Sequence, residues 1–353
     1  MEEVDKSGSG GSAERAASPA PEQLPGLRLG TEMNGRAWWR SPAMTTLAAT
    51  VTALGVFAGI VAFALDRAQN RDYVDGAFRN WAAVATVSLL VSVVLLLRGI
   101  AAVRALPSGW TRGRAWWTWN LLAYVVLGAT AALLLNLVVS GSNHVRVPIR
   151  DFAVLIQGLT LAGWISGAPW LLLVWLTHEQ VGLLAVHIGR IVPPQPVGGF
   201  SPARLDALVV AAAVQATAHV WQTIERCALV LALLVSTAVV NTGALRATLI
   251  MSHAIPASDF PPGWVLGYGA FFATLVAAVV VPLVLAWRTQ AYRLIDRALG
   301  EPVAGIPDDT YLAARTRLET HLHIDAQILR RPIAALSVLS PIGTAALTAF
   351  IGS

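Results

Sequence analysis

Long apolar runs separated by short polar stretches dominate the chain. Five of these runs contain almost no charged residue and lie at 43–65, 81–103, 117–139, 152–176 and 264–287. Each is long enough to cross about 30 Å of hydrocarbon at about 1.5 Å per residue. A sixth run, at 201–241, is longer and contains polar residues. The pattern therefore predicts six transmembrane helices. A seventh run, at 333–351, is short and contains Pro341, so it either spans the membrane or packs against the bundle.

The polar side chains of the run 201–241 follow helical spacing. Gln215, His219, Gln222 and Arg226 recur at i, i+4, i+7 and i+11, which places them on one face, and Glu225 lies about 60° away. An ionisable group at membrane depth costs about 2.5 to 3.5 kcal/mol, so it normally faces a bundle interior or a wet cavity. The sequence therefore predicts that this helix is central and that these five residues form a binding or translocation site.

An alternative interpretation is that the polar patch lies at one end of an unusually long helix. The run 201–241 would extend about 60 Å, twice the hydrocarbon thickness. The sequence does not decide between one helix and two. If the patch is inside the membrane, Glu225 and Arg226 need partners on other helices, for which Gln157 and Asn136 are the deepest candidates. On this hypothesis Arg226→Ala harms the protein more than Arg246→Ala, because Arg246 is predicted to lie in a loop.

Composition excludes a soluble globular protein. Hydrophobic residues make up 56% of the chain and charged residues 13%, whereas soluble domains carry about 25% charged residues. Mean hydropathy is +0.61. The net charge of +5 comes without a basic tract interleaved with aromatics, so nucleic acid is not an expected partner. One cysteine, Cys227, excludes an intrachain disulfide and a cysteine-cluster metal site.

Four segments follow from these patterns, and together they predict an all-α polytopic bundle. Residues 1–34 are rich in Gly, Ser, Ala and Pro and are expected to be a disordered tail. Residues 35–299 form the six-span bundle. Residues 300–332 contain a linker and a charged stretch with a leucine stripe, which predicts a short amphipathic cytosolic helix. Residues 333–353 are the C-terminal apolar helix.

Arginine and tryptophan positions set the expected orientation. Most arginines lie in the flanks that face the cytosol if the N-terminus is cytosolic, which is the arrangement that the positive-inside rule favours. The loop 246–263, including Arg246, is then exterior. Several tryptophans, among them Trp264 and Trp287, fall at predicted span ends and are expected to be interface anchors. The expected location is a bacterial inner (plasma) membrane.

Catalytic signatures are weak. His321 and His323 each have an acidic residue four positions away, but they point to different sides of one helix, which favours solvated ion pairs. His178 and Glu179 are not followed by the second histidine of a zinc-protease motif. Ser166 has no identifiable base. No catalytic residue, metal ligand set or cofactor is predicted.

Three functions remain, and a non-enzymatic one is favoured. The first is translocation of a small solute or ion through a bundle centred on the polar stripe. The second is a membrane anchor or signalling module that binds a cytosolic protein or a second copy of the chain. The third is a membrane-embedded enzyme that acts on lipid. Water access along the stripe favours translocation, and a dry, fully paired stripe favours the anchor. The lipid bilayer is the expected environment in every case.

Overall fold

The structure is a computed structural model that describes residues 42–106, scattered positions between 117 and 132, residues 147–191, 204–300 and 307–324, and residue 343. Within these ranges the chain is all-α, as predicted, with turns and one isolated bridge between Ala68 and Ile149. The helices are α1 (Pro42–Asp66), α2 (Arg71–Asp75), α3 (Ala77–Arg104), α4 (Phe152–Gly189), α5 (Arg204–Met251), α6 (Pro262–Leu299) and α7 (Asp309–His321).

Five of the described helical segments are long and apolar enough to cross a membrane, which makes this a multi-pass membrane protein by length and composition. They are Leu47–Asp66, Ala77–Arg104, Phe152–Gly189, Leu208–Met251 and Ala257–Leu299. The predicted span 117–139 lies mostly outside the described residues, although its described positions are helical. The tail 1–34 and, apart from helical Gly343, the apolar run 333–351 also lie outside them.

Helix α5 packs against α3, α4 and α6, and α4 packs against α3, α5 and α6. Helix α5 is a single helix of 48 residues, about 72 Å long at 1.5 Å per residue. It continues to Met251. Arg246 therefore lies inside α5, and its prediction as part of an exterior loop was wrong. The apolar residues around Arg246 continue the helix that the sequence predicted to end sooner.

Hydrogen bonds from side chains to main-chain carbonyls fix the register of α3 against α5. Trp81 Nε1 donates to the carbonyl oxygen of Asn241 at 3.2 Å, and Ser88 Oγ lies 3.5 Å from that of Thr237. The two helices are thus antiparallel. Counting equal numbers of residues along both brings the end of α3, at Arg104, to about the level of His219.

Contacts between α3 and α4 show which residue of α4 lies level with the end of α3. Trp170 Nε1 donates to the carbonyl oxygen of Leu95 at 2.9 Å, and a Cβ on Gly99 would lie 2.8 Å from the Pro169 and Trp170 side chains. Trp81 packs on Phe152 nearer the N-termini of both helices, so α3 and α4 are parallel and in close contact. Arg104 falls level with about residue 179 of α4, so α4 continues beyond α3.

Two buried clusters divide the bundle along its length. The Trp81 core comprises Ile60, Ala64, Tyr73, Val74, Phe78, Trp81, Ala82, Ala85, Ile149, Phe152, Val239, Leu249, Ile255, Phe260 and Val265. The Trp287 core comprises Leu95 on α3 and the buried apolar residues at 170–188 on α4, 213–231 on α5 and 276–295 on α6. Ile191, Leu322 and Ile324, which follow helix ends, complete it. Because α3 ends beside the Trp287 core, much of that core is built by α4, α5 and α6 alone.

Helix α7 packs against α6 at the Trp287 end of the bundle. It lies within the stretch for which the sequence predicts an amphipathic helix, and Asp308 caps it by accepting from the Tyr311 backbone N–H at 2.7 Å. Leu322 and Ile324, directly after it, are buried against the Trp287 core. Arg315 bridges Asp296 of α6 at 3.3 Å, which ties α7 to that helix.

Candidate functional site

The predicted polar stripe lies on one face of α5 that points away from the described core. Gln215, His219, Gln222 and Arg226 are exposed, whereas Glu225 is half-buried. The opposite face of the same turns carries the buried residues Ala216, Thr217, Val220, Ile224 and Cys227. The four residues of the stripe therefore share a surface, but they do not line an interior space between α5 and the helices α3, α4 and α6.

The stripe straddles the level at which α3 ends. Leu229 and Leu233 continue the same face of α5 and are exposed aliphatic side chains. The face is thus apolar on one side of Arg226 and polar for about three turns on the other. This profile is typical of a helix that leaves the hydrocarbon and enters the headgroup region, because exposed aliphatic side chains are stable in lipid and polar ones are stable in water.

Of the two residues predicted to be partners of Glu225 and Arg226, only Gln157 lies in the described part of the chain. Gln157 is exposed on α4, and Asn136 lies outside the described residues. Glu225 interacts with another group. Within the described part of the chain Arg226 forms no salt bridge, in contrast to Arg67, Arg79 and Arg315, which do.

Beyond the end of α3, three helices continue as a separate unit, here called the extension. It consists of residues 180–189 of α4, 204–218 of α5, 288–299 of α6, and α7. At 1.5 Å per residue it projects about 20 Å. Its interior is filled by Val181, Leu184, Ile188, Ala291, Leu294 and Ile295, each at most 4% exposed. The Trp287 core therefore continues without a break into the extension.

Contacts across helix ends hold the extension together. Arg297 donates to the carbonyl oxygen of Ile191 at 3.1 Å, so the end of α6 is tied to the end of α4. Burial lowers the pKa of Arg315, but its hydrogen bonds to Glu319 and Tyr311 and the charges of Asp296 and Glu319 raise it above the usual value overall. The guanidinium therefore stays cationic and keeps its ion pairs with Asp296 and Glu319.

Trp287 was predicted to be an interface anchor, and that prediction was wrong. Its ring is 2% exposed and stacks on Trp221 with 4.4 Å between ring centroids. Its Nε1 donates to the carbonyl oxygen of Thr217 at 2.9 Å. A tryptophan beside a span end can equally face a neighbouring helix, and here it packs against the Trp221 turn of α5. Trp264, by contrast, is exposed.

The most deeply buried arginine in the described chain is one that the sequence placed in solvent. Arg246 is 2% exposed, and its Nε donates to the carbonyl oxygen of Phe260 at 2.8 Å. A helical period continued from Ile224 and Leu231 would have placed Arg246 on the buried face of α5. Nearby on α2, burial raises the pKa of Tyr73. Polar groups are thus buried at the Trp81 end, away from the predicted stripe.

No metal or catalytic arrangement emerges from the described residues. They contain no group of three His, Cys, Asp or Glu side chains placed to hold a metal ion. His321 is exposed on α7, where it lines an open surface depression of about 350 Å³ with Thr316, Arg317 and Thr320. This depression is on the outer surface of α7. Comparison of the chain with family models, curated proteins and solved structures finds no match.

Proposed function

We propose that the protein is a membrane anchor whose extension is a docking platform for a soluble protein. The observation that carries this proposal is the folded extension itself. Helices α4, α5 and α6 run past the end of α3 and share a buried core there. A protein that only had to span the membrane would not need about 20 Å of ordered helix beyond its shortest spans.

Two exposed aliphatic side chains of the extension lie between charged residues. Leu183 and Val186 are 43% and 54% exposed, and their spacing of three residues puts them on one face of α4. Glu179 and Arg190 flank them in sequence. Exposed aliphatic residues rimmed by polar groups are typical of protein interaction sites. The spans would fix the platform at the membrane, and the extension would present it to the partner.

Site-specific photocrosslinking in cells tests this function. A photoreactive amino acid placed at Val186 should give a discrete heavier adduct of the full-length protein. The matched control is Leu161, which is equally exposed on α4 but lies in the uncharged part of the helix. We expect no protein adduct at Leu161. Identical patterns at the two positions would reject the docking function, and an adduct of twice the mass would identify the partner as a second copy of the chain.

Translocation along the stripe is the second candidate function. It is favoured by four hydrogen-bonding or charged side chains on one exposed face of α5, at Gln215, His219, Gln222 and Arg226. An aqueous path on that face requires a covering element, supplied either by the run 117–139 or by a second copy of the chain. Water would then have to reach past Arg226 to Leu229 and Leu233, so cysteines at these two positions would react with a membrane-impermeant reagent.

A further inference from the structure

The outward faces of three helices change from exposed aliphatic residues to an exposed arginine at the Trp287 end of the membrane-crossing part. On α3, Leu97 is followed by Arg98. On α5, Leu229 and Leu233 lie next to Arg226. On α6, Val281 and Leu285 precede Arg288, and all three arginines are exposed. Arg98, Arg226 and Arg288 are here called the arginine layer.

Register places Arg98 and Arg226 at one depth and Arg288 further toward the extension. Counting from the contact between Ser88 and Thr237, Arg98 and Arg226 are at nearly the same level of the antiparallel helices α3 and α5. Arg288 lies about 15 Å further toward the extension, judged from the contact between Trp287 and Thr217. Side chains lean toward the N-terminus of their own helix, so Arg226 and Arg288, on antiparallel helices, lean toward each other in depth.

The arginine layer lacks carboxylate partners within the described chain. No salt bridge of Arg98, Arg226 or Arg288 occurs there, and Arg288 hydrogen-bonds to the hydroxyl of Tyr292 and lies over its ring. The acidic groups at this depth, Glu179 and Glu225, are half-buried and already interact with other groups. Arginines at the opposite end of the same bundle behave differently, because Arg67 and Arg79 each pair with aspartate.

We infer that the arginine layer binds the phosphate groups of anionic phospholipids. The aliphatic residues beside Arg98 and Arg226 face the acyl chains, so these two guanidinium groups lie at headgroup depth, and Arg288 lies about 15 Å further out. A guanidinium donates two parallel hydrogen bonds to phosphate oxygens, which a zwitterionic headgroup satisfies less well because it carries its own cation. Gln222 and His219, on the face that carries Arg226, add hydrogen-bonding groups one and two turns further on.

Native mass spectrometry of the purified full chain tests this inference. The protein in detergent is given equal amounts of phosphatidylglycerol and phosphatidylcholine with the same acyl chains, and the ratio of the two bound lipids is measured. Each arginine near an anionic surface is expected to change that ratio about fivefold. Arg226→Gln and Arg98→Gln should therefore each lower the preference for phosphatidylglycerol by about that factor, while Arg226→Lys keeps most of it.

The matched control is Arg293→Gln, which removes an exposed arginine of α6 that lies further into the extension. It should leave the lipid ratio unchanged. Inorganic phosphate added to the same sample should not displace the lipid, because the acyl chains contribute to binding. Equal binding of the two lipids by the native protein, or an equal loss in Arg293→Gln, would overturn the inference. If Arg226→Gln does not purify, Arg98→Gln decides.

Discussion

Two arginines of α5, one near each end of the bundle, lie in opposite environments. At the Trp81 end, Arg246 points into the protein and is 2% exposed, and its Nε hydrogen-bonds to the carbonyl oxygen of Phe260. At the Trp287 end, Arg226 of the same helix is exposed and makes no salt bridge with described residues. The face of the helix on which a residue falls, and not its depth alone, thus decides whether a charge is structural or available for binding.

The cores at the two ends also differ in what surrounds them. The Trp81 core is aromatic, with Trp81 within 5.3 Å of both Phe78 and Phe152 between ring centroids. A backbone clamp covers it, in which Arg150 N–H donates to the carbonyl oxygen of Arg67 at 2.9 Å. The Trp287 core is mainly aliphatic and continues into the extension. The chain thus covers its own core at the Trp81 end, whereas the helices project beyond α3 at the Trp287 end.

Of the substitutions considered, Arg246→Ala should lower the free energy of unfolding most. Arg246→Ala removes the buried charged group that donates to the carbonyl oxygen of Phe260, and it leaves a cavity. The free energy of unfolding should therefore fall by about 3 kcal/mol or more. Arg226→Ala, on the exposed face, should change stability by about 0.5 kcal/mol or less. Denaturant unfolding of both variants in the same detergent measures the difference. Equal losses would mean that the two arginines are not in different environments.

A second effect concerns the contact between α3 and α4. The added methyl group of Gly99→Ala would lie 2.8 Å from the Pro169 ring and the Trp170 indole, so it should cost about 1 to 3 kcal/mol. Gly182→Ala is the matched control in the extension, where nothing lies within 4 Å of the added Cβ. That change should be neutral or stabilise by about 0.5 to 1 kcal/mol, because alanine favours helix more than glycine does.

The two cores should respond separately to the loss of their tryptophan hydrogen bonds. Trp81→Phe and Trp287→Phe each remove an indole N–H that donates to a carbonyl oxygen of α5, and each should cost about 1 kcal/mol. Hydrogen exchange should increase near Asn241 in the first variant and near Thr217 in the second. Increased exchange along the whole of α5 in both variants would show that the bundle behaves as one cooperative core.

The smallest expected effect is at α7. Arg315→Ala removes partly exposed ion pairs with Asp296 and Glu319, so global stability should change by only about 0.5 kcal/mol. Amide exchange in Asp309–His321 should nevertheless accelerate, because Arg315 links this helix to α6. Unchanged exchange would assign the attachment of α7 to Leu322 and Ile324 alone.

Sequence patterns were sufficient for the helical class and for the shared face of the stripe. Long apolar runs predicted transmembrane helices because a helix makes all of its backbone hydrogen bonds internally, as a segment surrounded by lipid must. Helical spacing placed Gln215, His219, Gln222 and Arg226 together, and the structure has all four on one exposed face. That the face points outward could not be predicted, since in a membrane helix such as α5 both the core-facing side and the lipid-facing side are apolar.

The positions that sequence analysis missed have a common physical cause. Arg246 and Trp287 lie near span ends, where charge and aromatic rules predict exposure to the interface. Both are at most 2% exposed because neighbouring main-chain carbonyls accept their N–H groups. Those carbonyls belong to residues distant in sequence or on another helix, so no local pattern reveals them. The extension was visible in the sequence in part as excess length in the run 201–241.

Solvent accessibility along the outward face of α5 shows whether the polar stripe lies outside the hydrocarbon and whether Leu229 and Leu233 face lipid. Single cysteines replace Leu208, Gln215, His219, Arg226, Leu229 and Leu233 in turn, in lipid nanodiscs that leave both membrane faces open to a membrane-impermeant maleimide. Cys227 is 1% exposed and serves as the unreactive background. We expect the maleimide to react at Leu208, Gln215 and His219, to react less at Arg226, and not to react at Leu229 and Leu233. Reaction at Leu229 and Leu233, or protection at Leu208 and Gln215, would contradict this expectation.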